Sequence, residues 1–415
     1  MASENKKRVG KVVVCPDKFK GGLSSGQVAA AIKEGLENYI SFRKGEMSAF
    51  SSSTEILPVE MADGGDGSAA LFRKLSGAEE ICLKVCGPLG EEVESSYMFC
   101  RGASPLGEKP SAFIECARVC GLAMVPEEKR NPLATTTFGL GQMILDAVKR
   151  GAGTICIGLG GSATNDCGTG MLQGLGFSLG LPEGQKASGG TMADIKSIAE
   201  PEDLEKRLSG IRFLIVNDVD NPLLGPTGAT YIYSGQKGAD KEAMDKMERD
   251  MSALVSRLGK YSRSKNDASQ DALVPGAGAA GGLGFAFLHF LGADSVSGFE
   301  FFGVRLQGLS EKIAEADIVI SGEGSIDIQS LSGKVVGGCC RCISCCPDVS
   351  EKRLWLFCGK SSLELEDLAK SSGGASVRVF QLADIEKDMR ARMKREYPLL
   401  RQLAYCAAME MDALL

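Results

Sequence analysis

Five short apolar runs, each ending in Gly, Asp or Pro, constrain what this chain can fold into more than any other feature. They are "KVVVCPD" (11–17), "TEILPVEMADGG" (54–65), "DIVISGEGSID" (317–327), "RLWLFCGK" (353–360) and "SVRVFQLAD" (376–384). Continuous β-branched runs of this length are strands buried on both faces, as in a parallel sheet covered by helices. Helical patterns lie between them. "SSGQVAAAIKEGLENYI" carries apolar residues at 28, 32, 36 and 40 behind a cap at Ser24 or Ser25, and "LSGKVVGGCCRCIS" and "SLELEDLAKSS" fill the same role later. Two strands fall in the first 65 residues and three beyond 315. One doubly wound α/β sheet, interrupted by a large insertion, accounts for that spacing.

The insertion has strands of its own: "EEICLKVCGPLG", "ESSYMFCRG", "SAFIECARVC", "TICIGLGG" and "IRFLIVNDVD". The first three are spaced like hairpins, which predicts a mixed α/β domain. The expected boundaries are 1–75 with 295–415 for the discontinuous domain and 76–294 for the inserted one, with glycine-rich hinges at the two crossings. "FGLGQMILDAVKRGA" and "KEAMDKMERDMSALVSRLGKY" read as amphipathic helices, "YSRSKNDASQDA" (261–272) as a polar loop, and the C-terminal stretch as a packing helix.

Composition removes several function classes. The net charge is −6 with Lys and Arg scattered, which argues against a nucleic-acid surface. No apolar run approaches the roughly 18 residues of a spanning helix, and "MASENKKRVG" lacks the apolar core of a signal peptide, so the expected location is the cytoplasm. The 15 cysteines sit mostly inside apolar runs and read as reduced thiols packed as small hydrophobes. In "CCRCISCC" (339–346), Cys339, Cys342 and Cys345 have iron–sulfur spacing, but the fourth ligand position falls on Val349. A packing helix is the expectation there. The single histidine, His289, lies in "GFAFLHFLG" and reads as a core residue, which leaves no Ser-His-Asp hydrolase.

Known nucleotide motifs fit poorly. Gly359-Lys360-Ser361 ends "LWLFCGKSS", but the first glycine of a Walker A loop would fall on Leu354. Gly158-x-Gly160-x-x-Ala163 follows a strand, yet no acidic residue ends a second strand about twenty positions on. Gly276-x-Gly278-x-x-Gly281 opens a helix without a preceding strand. What remains is a set of glycine loops, each with a carboxylate or a lysine. "PDKFKGG" carries Asp17, Lys18 and Lys20; "MADGGDGS" carries Asp63 and Asp66; "GGSATND" carries Ser162, Asn165 and Asp166. "NDVDNPLLGPTGAT" adds Asp218 and Asp220, "SGQKGA" Lys237, and "SGEGSIDIQSLSGK" Glu323, Asp327 and Lys334. Strand-end loops rich in hard oxygen donors, with a few lysines and almost no His, suit phosphoryl transfer with magnesium.

In this order and spacing the loops resemble the bacterial-type glycerate kinases, from about residue 10 to residue 375. The resemblance implies two α/β domains, one flavodoxin-like and discontinuous, with the active site in the cleft between them. It implies ATP-dependent phosphorylation of D-glycerate, usually at the 2-hydroxyl, giving 2-phosphoglycerate. Three positions depart from the family pattern. Lys18 stands where Ser is frequent, Asp66 where Glu is frequent, and Ser325 where Arg is frequent, which removes a bidentate anion clamp.

On this reading Lys20 and Lys237 neutralise transferring charge. Asp166 or Asp63 takes the glycerate proton, with Asp327 behind them. Asp218, Asp220 and Glu323 are candidate magnesium ligands. Asp17, Lys18, Gly160, Gly161, Ser162, Asn165, Gly278, Gly281 and Lys334 bind nucleotide or substrate. The implied cofactors are ATP and magnesium, and the expected partner is a small molecule, with neither nucleic acid nor membrane, on a monomer or homodimer. A nicotinamide-dependent oxidoreductase and a non-catalytic nucleotide-binding protein stay open as alternatives at this level.

Overall fold

The computed structural model describes residues 8–414, apart from 20, 44–47, 262 and 333. In chain order the strands among them are β1 (Lys11–Val14), β2 (Glu55–Pro58), β3 (Glu79–Cys86), β4 (Glu92–Cys100), β5 (Ser111–Glu115), β6 (Thr154–Gly158), β7 (Arg212–Val216), β8 (Asp294–Val296), β9 (Ile318–Ile326), β10 (Arg353–Ser361) and β11 (Ser376–Gln381). Internal contacts divide the chain into two units: Met1–Ala62 with Gly298–Leu415, and Asp63–Ser297.

The first unit is built on a parallel sheet of order β11-β10-β9-β1-β2. Counted within the unit, that is the 2-1-3-4-5 order of a flavodoxin-like sheet, with its switch point between β1 and β9. Alternation along β1 sorts the two faces. Val12 and Val14 pack with the helix Ser25–Phe42 and the C-terminal helix Glu396–Leu414, while Val13 and Cys15 pack with the cysteine-rich helix Val335–Ser344. Ser24 caps the first of these helices, accepting from the Gln27 N–H while the Gln27 side chain accepts from the Ser24 N–H. Cys339, Cys340 and Cys346 are core residues, and Cys339 Sγ lies 3.3 Å from Cys15 Sγ. All 15 cysteines are free thiols.

The second unit holds the sheet β3-β4-β5-β6-β7-β8, antiparallel from β3 to β5 and parallel from β5 to β8. The three-residue β8 was not anticipated, because so short a strand has no period to detect. Both boundaries move from the expected 75/76 and 294/295. The helix Ser68–Ser76 packs on β4 and β5, and a Cβ on Gly64 would lie 2.2 Å from the Val216 carbonyl oxygen, so residues from Asp63 onward belong to the second unit. At the other end β8 pairs with β7 and carries the second crossing to 297/298. The helix Ala279–Leu291 also differs from expectation: Ala280, Gly281 and Gly282 are left-handed, so regular helix begins only at Leu283. Among the described residues no helix is long and apolar enough to cross a membrane.

Candidate active site

The bare stretch "GLGGSATNDCGTG" follows β6, and much of its bareness is backbone packing. A Cβ on Gly160 would lie 2.4 Å from Gly65 Cα, so the 63–67 loop rests directly on the 158–161 loop. Farther along, a Cβ on Gly281 would lie 2.0 Å from the Thr164 carbonyl oxygen, and the Cys167 N–H donates to the Gly281 carbonyl at 3.0 Å. Cys167 and Ala280, with φ of 55° and 52°, are left-handed without being glycine and flank this junction. Strain of this kind persists only where the surroundings impose it. Three glycine loops thus lock together around residues 160–168.

What they enclose is polar. Lys237, 3% exposed, donates from Nζ to Ser162 Oγ at 3.1 Å and to the Thr164 carbonyl at 2.7 Å. Among the described residues no carboxylate forms an ion pair with it. Burial depresses its ammonium pKa to about 8, against the pull of Cys116, Cys120 and Asp166 nearby. Asn165 Nδ2 donates to Thr230 Oγ1 at 3.2 Å, while Asn165 Oδ1, Thr164 Oγ1, Ser234 Oγ and Glu248 Oε2 are buried without a hydrogen-bond partner. An ammonium uses at most three donors, and two are satisfied here. The third is left for a ligand that can accept it.

Asp166 sits behind this cluster as a brace. It is fully buried; Oδ2 accepts from the Thr137 N–H (2.9 Å), Thr137 Oγ1 (2.8 Å) and the Gly170 N–H (3.2 Å), and Oδ1 from the Gly168 N–H (3.1 Å). Burial raises its pKa while these donors hold it down. Both oxygens accept from protein donors, which suits loop positioning. Asp63 is half-buried on the loop against Gly160, with Oδ1 accepting from the Gly65 N–H at 3.1 Å. Asp66 on the same loop is exposed. Sequence reasoning missed Glu115. This buried carboxylate at the end of β5 accepts from the Gly67 N–H (3.3 Å) and the Ala69 N–H (2.9 Å), and burial raises its pKa. One acid closing the apolar run "SAFIE" was the available signal.

The remaining expectations in this unit divide. Gly161 is exposed and its carbonyl accepts from the Leu122 N–H, whereas the Gly278 N–H is already donated to the Asn221 carbonyl at 3.0 Å and cannot serve a phosphate. Asp218 is half-buried and Asp220 exposed after β7. Beside them Asn217, also missed, ties β7 to Ser295 through Nδ2 and accepts from the Val219 N–H.

The first unit brings Asp17, Glu323, Asp327 and Lys334 together at its sheet's switch point, where the Asp17 N–H donates to the Gly322 carbonyl at 2.7 Å. Half-buried Glu323 is raised by burial and by its neighbours Asp17 and Asp327, against a hydrogen bond from Ser330 and the charge of Lys334. Asp327 caps a short turn, accepting from the Gln329 N–H at 2.8 Å, and Lys18 and Ser325 are exposed. Lys20 lies outside the described residues. Among the described residues no three His, Cys, Asp or Glu side chains are grouped to hold a metal. The crowded carboxylates about Glu323 fit magnesium only in the form it takes with nucleotides, carried on phosphates and completed by one or two protein oxygens. A cavity of about 940 Å³ along β11 and the C-terminal helix contains none of these residues.

A flavodoxin-ordered sheet and glycine loops closed on an unpaired buried lysine describe an α/β fold with a candidate anion site, and the sequence and structural relatives place it in a family. The chain belongs to the glycerate kinase family, whose profile matches residues 12–411. It is 40% identical over 330 residues to the glycerate 2-kinase of Escherichia coli K12, covering 78% of this chain and 80% of that one. It is 36% identical over 329 residues to the glycerate kinase of Halalkalibacterium halodurans, covering 78% and 79%. A crystal structure from Salmonella typhimurium LT2, provisionally designated glycerate kinase 2, superimposes with a TM-score of 0.72 at 31% identity, covering 98% of this chain and 99% of that one.

Proposed function

We propose that this chain transfers the γ-phosphoryl group of ATP to the 2-hydroxyl of D-glycerate, yielding 2-phosphoglycerate and ADP. The observation that carries the reading is the buried, unpaired Lys237 ammonium on Ser162, since an uncompensated cation in a protein core calls for an anion. Family membership supports the reaction class, and the printed name of the Escherichia coli relative supports the 2-position.

In this reading Lys237, through its open N–H, and Ser162, which accepts from Lys237 and so turns its own O–H outward, bind the carboxylate of glycerate or the phosphates. Asp166 and Glu115 hold the glycine loops in shape. Asp63 takes the hydroxyl proton as the new P–O bond forms and the bond to the ADP oxygen breaks. An ordinary carboxylate basicity suffices, because proton removal comes late in a loose transition state. Asp17, Glu323 and Lys334 serve the nucleotide phosphates; magnesium arriving with them would be held by Glu323 or by Asp218 and Asp220 and would supply positive charge against the transferring group.

ADP release from magnesium and ATP, measured with and without D-glycerate, tests the reaction; glycerate dependence is expected, and its absence refutes the proposal. Phosphorus NMR of the product separates the 2- from the 3-position. Asp63→Asn is expected to lower kcat by roughly 10²–10⁴ with folding intact. A variant within threefold of the parent removes Asp63 as the base.

A further inference from the structure

We propose that the second unit carries a separate site for a tetrahedral dianion, a phosphate monoester or inorganic phosphate, in the cavity above His289. Two features that the kinase reading leaves unused, the lone histidine and the polar loop after residue 260, meet there. The cavity measures about 190 Å³, and its charged and aromatic wall is Lys196, Arg257, Lys260, Tyr261, His289 and Phe290. Among the described residues no Asp or Glu lines it. Arg257 Nη2 donates to the Ile195 carbonyl at 2.9 Å and Lys196 Nζ to the Ala193 carbonyl at 3.3 Å, which tethers both cations to the wall. Neither they nor Lys260 form an ion pair with a described carboxylate. Of the acids behind this wall, Glu200 accepts from Tyr261 at 3.0 Å and pairs with Arg263, and Asp271 holds His289, so neither pairs with the three cations.

The floor is built rather than incidental. His289 is 1% exposed, stacked on Phe285 with ring centroids 5.3 Å apart and planes 9° apart. Its Nδ1 lies 2.7 Å from Asp271 Oδ2, and Asp271 also accepts from Ser264 Oγ at 2.5 Å and Asn266 Nδ2 at 3.0 Å. That fixes the ring, and its other nitrogen, Nε2, has no protein partner among the described residues while the ring lines the cavity. A histidine only 1% exposed, whose free ring nitrogen reaches solvent through a cationic cavity, points to a ligand at that cavity. Two negative charges and several oxygens match three cations better than a monoanion does. Ile198 and Leu258 add an apolar flank on which the carbon body of a monoester would rest.

The test is titration calorimetry of the full chain with inorganic phosphate and with glycerol phosphate, at ionic strength matched with chloride. Three proteins are compared: the parent, the double variant Lys196→Ala/Lys260→Ala, and Lys237→Met, which disables the kinase cluster instead. The expected result is binding in the parent, weakened roughly tenfold or more in the double variant and retained in Lys237→Met, with the double variant's turnover unchanged. Tighter binding of glycerol phosphate than of phosphate assigns the site to organic monoesters; equal binding assigns it to free phosphate. Binding lost in Lys237→Met but kept in the double variant, or no heat beyond the chloride control, overturns the proposal.

Discussion

Replacing Lys237 with Met should make the protein more tolerant of neutral pH and at the same time inactive. The ammonium titrates near pH 8 in the fold against an ordinary 10.5. A base whose folded pKa is lowered weakens the fold wherever it is charged, and the penalty is relieved as pH climbs from about 8 towards 10.5. The difference of about 2.5 units corresponds to roughly 3 kcal/mol at pH 7. Against this, methionine forfeits two hydrogen bonds, to Ser162 Oγ and the Thr164 carbonyl, at about 1 kcal/mol each. The balance at pH 7 is about 1 kcal/mol in favour of the variant. Raising the pH to 10 removes most of the parent's penalty and none of the variant's, so the parent should gain about 2–3 kcal/mol on the variant across that interval. Urea denaturation of both proteins at pH 7 and pH 10 measures this double difference, in which titrations not coupled to Lys237 cancel. A stability gap that is equal at the two pH values would refute the picture of an uncompensated buried charge, and with it the reason for assigning an anion to the site.

Other consequences follow from the loops around that cluster. Gly160→Ala places a methyl 2.4 Å from Gly65 Cα and should lower unfolding free energy by about 1–3 kcal/mol in urea melts while also depressing kcat. Glu115→Ala leaves the Gly67 and Ala69 N–H groups without their acceptor; a loss of about 1–2 kcal/mol is expected, with Glu115→Gln recovering part of it. Thiol labelling of the native protein should show fast reaction at the exposed Cys82 and Cys345 and slow reaction at the buried Cys339, with all fifteen reacting after denaturation. Rapid labelling of Cys339 would contradict its place in the core.

The first unit was legible because its signals are local. Each strand is a continuous apolar run, the Ser24 cap stands beside its helix, and the distance between Pro58 and Ile318 in the sequence declares the interruption. The early crossing at Asp63 was not, because the helix Ser68–Ser76 looks the same in sequence whichever sheet it covers. Lys237 shows the harder case. "SGQKGA" reads as a lysine on a glycine turn, ordinarily a solvated residue, and only the chain folding 75 residues back onto Ser162 makes it a buried charge. Asp166 carries the opposite ambiguity, since an acid in a glycine loop suggests chemistry while in the fold its oxygens accept four bonds from Thr137, Gly168 and Gly170.

The glycines carry the same ambiguity one step further. A glycine needed because a phosphate approaches the backbone and one needed because another glycine loop does are written with the same letter. Gly160 and Gly281 are of the second kind, each closed against a neighbouring main chain, whereas Gly161 is exposed. The density of glycine in 158–170 therefore measures how closely three loops must approach to bury Lys237, and the ligand is announced by the lysine's missing partner rather than by the bareness of the loop.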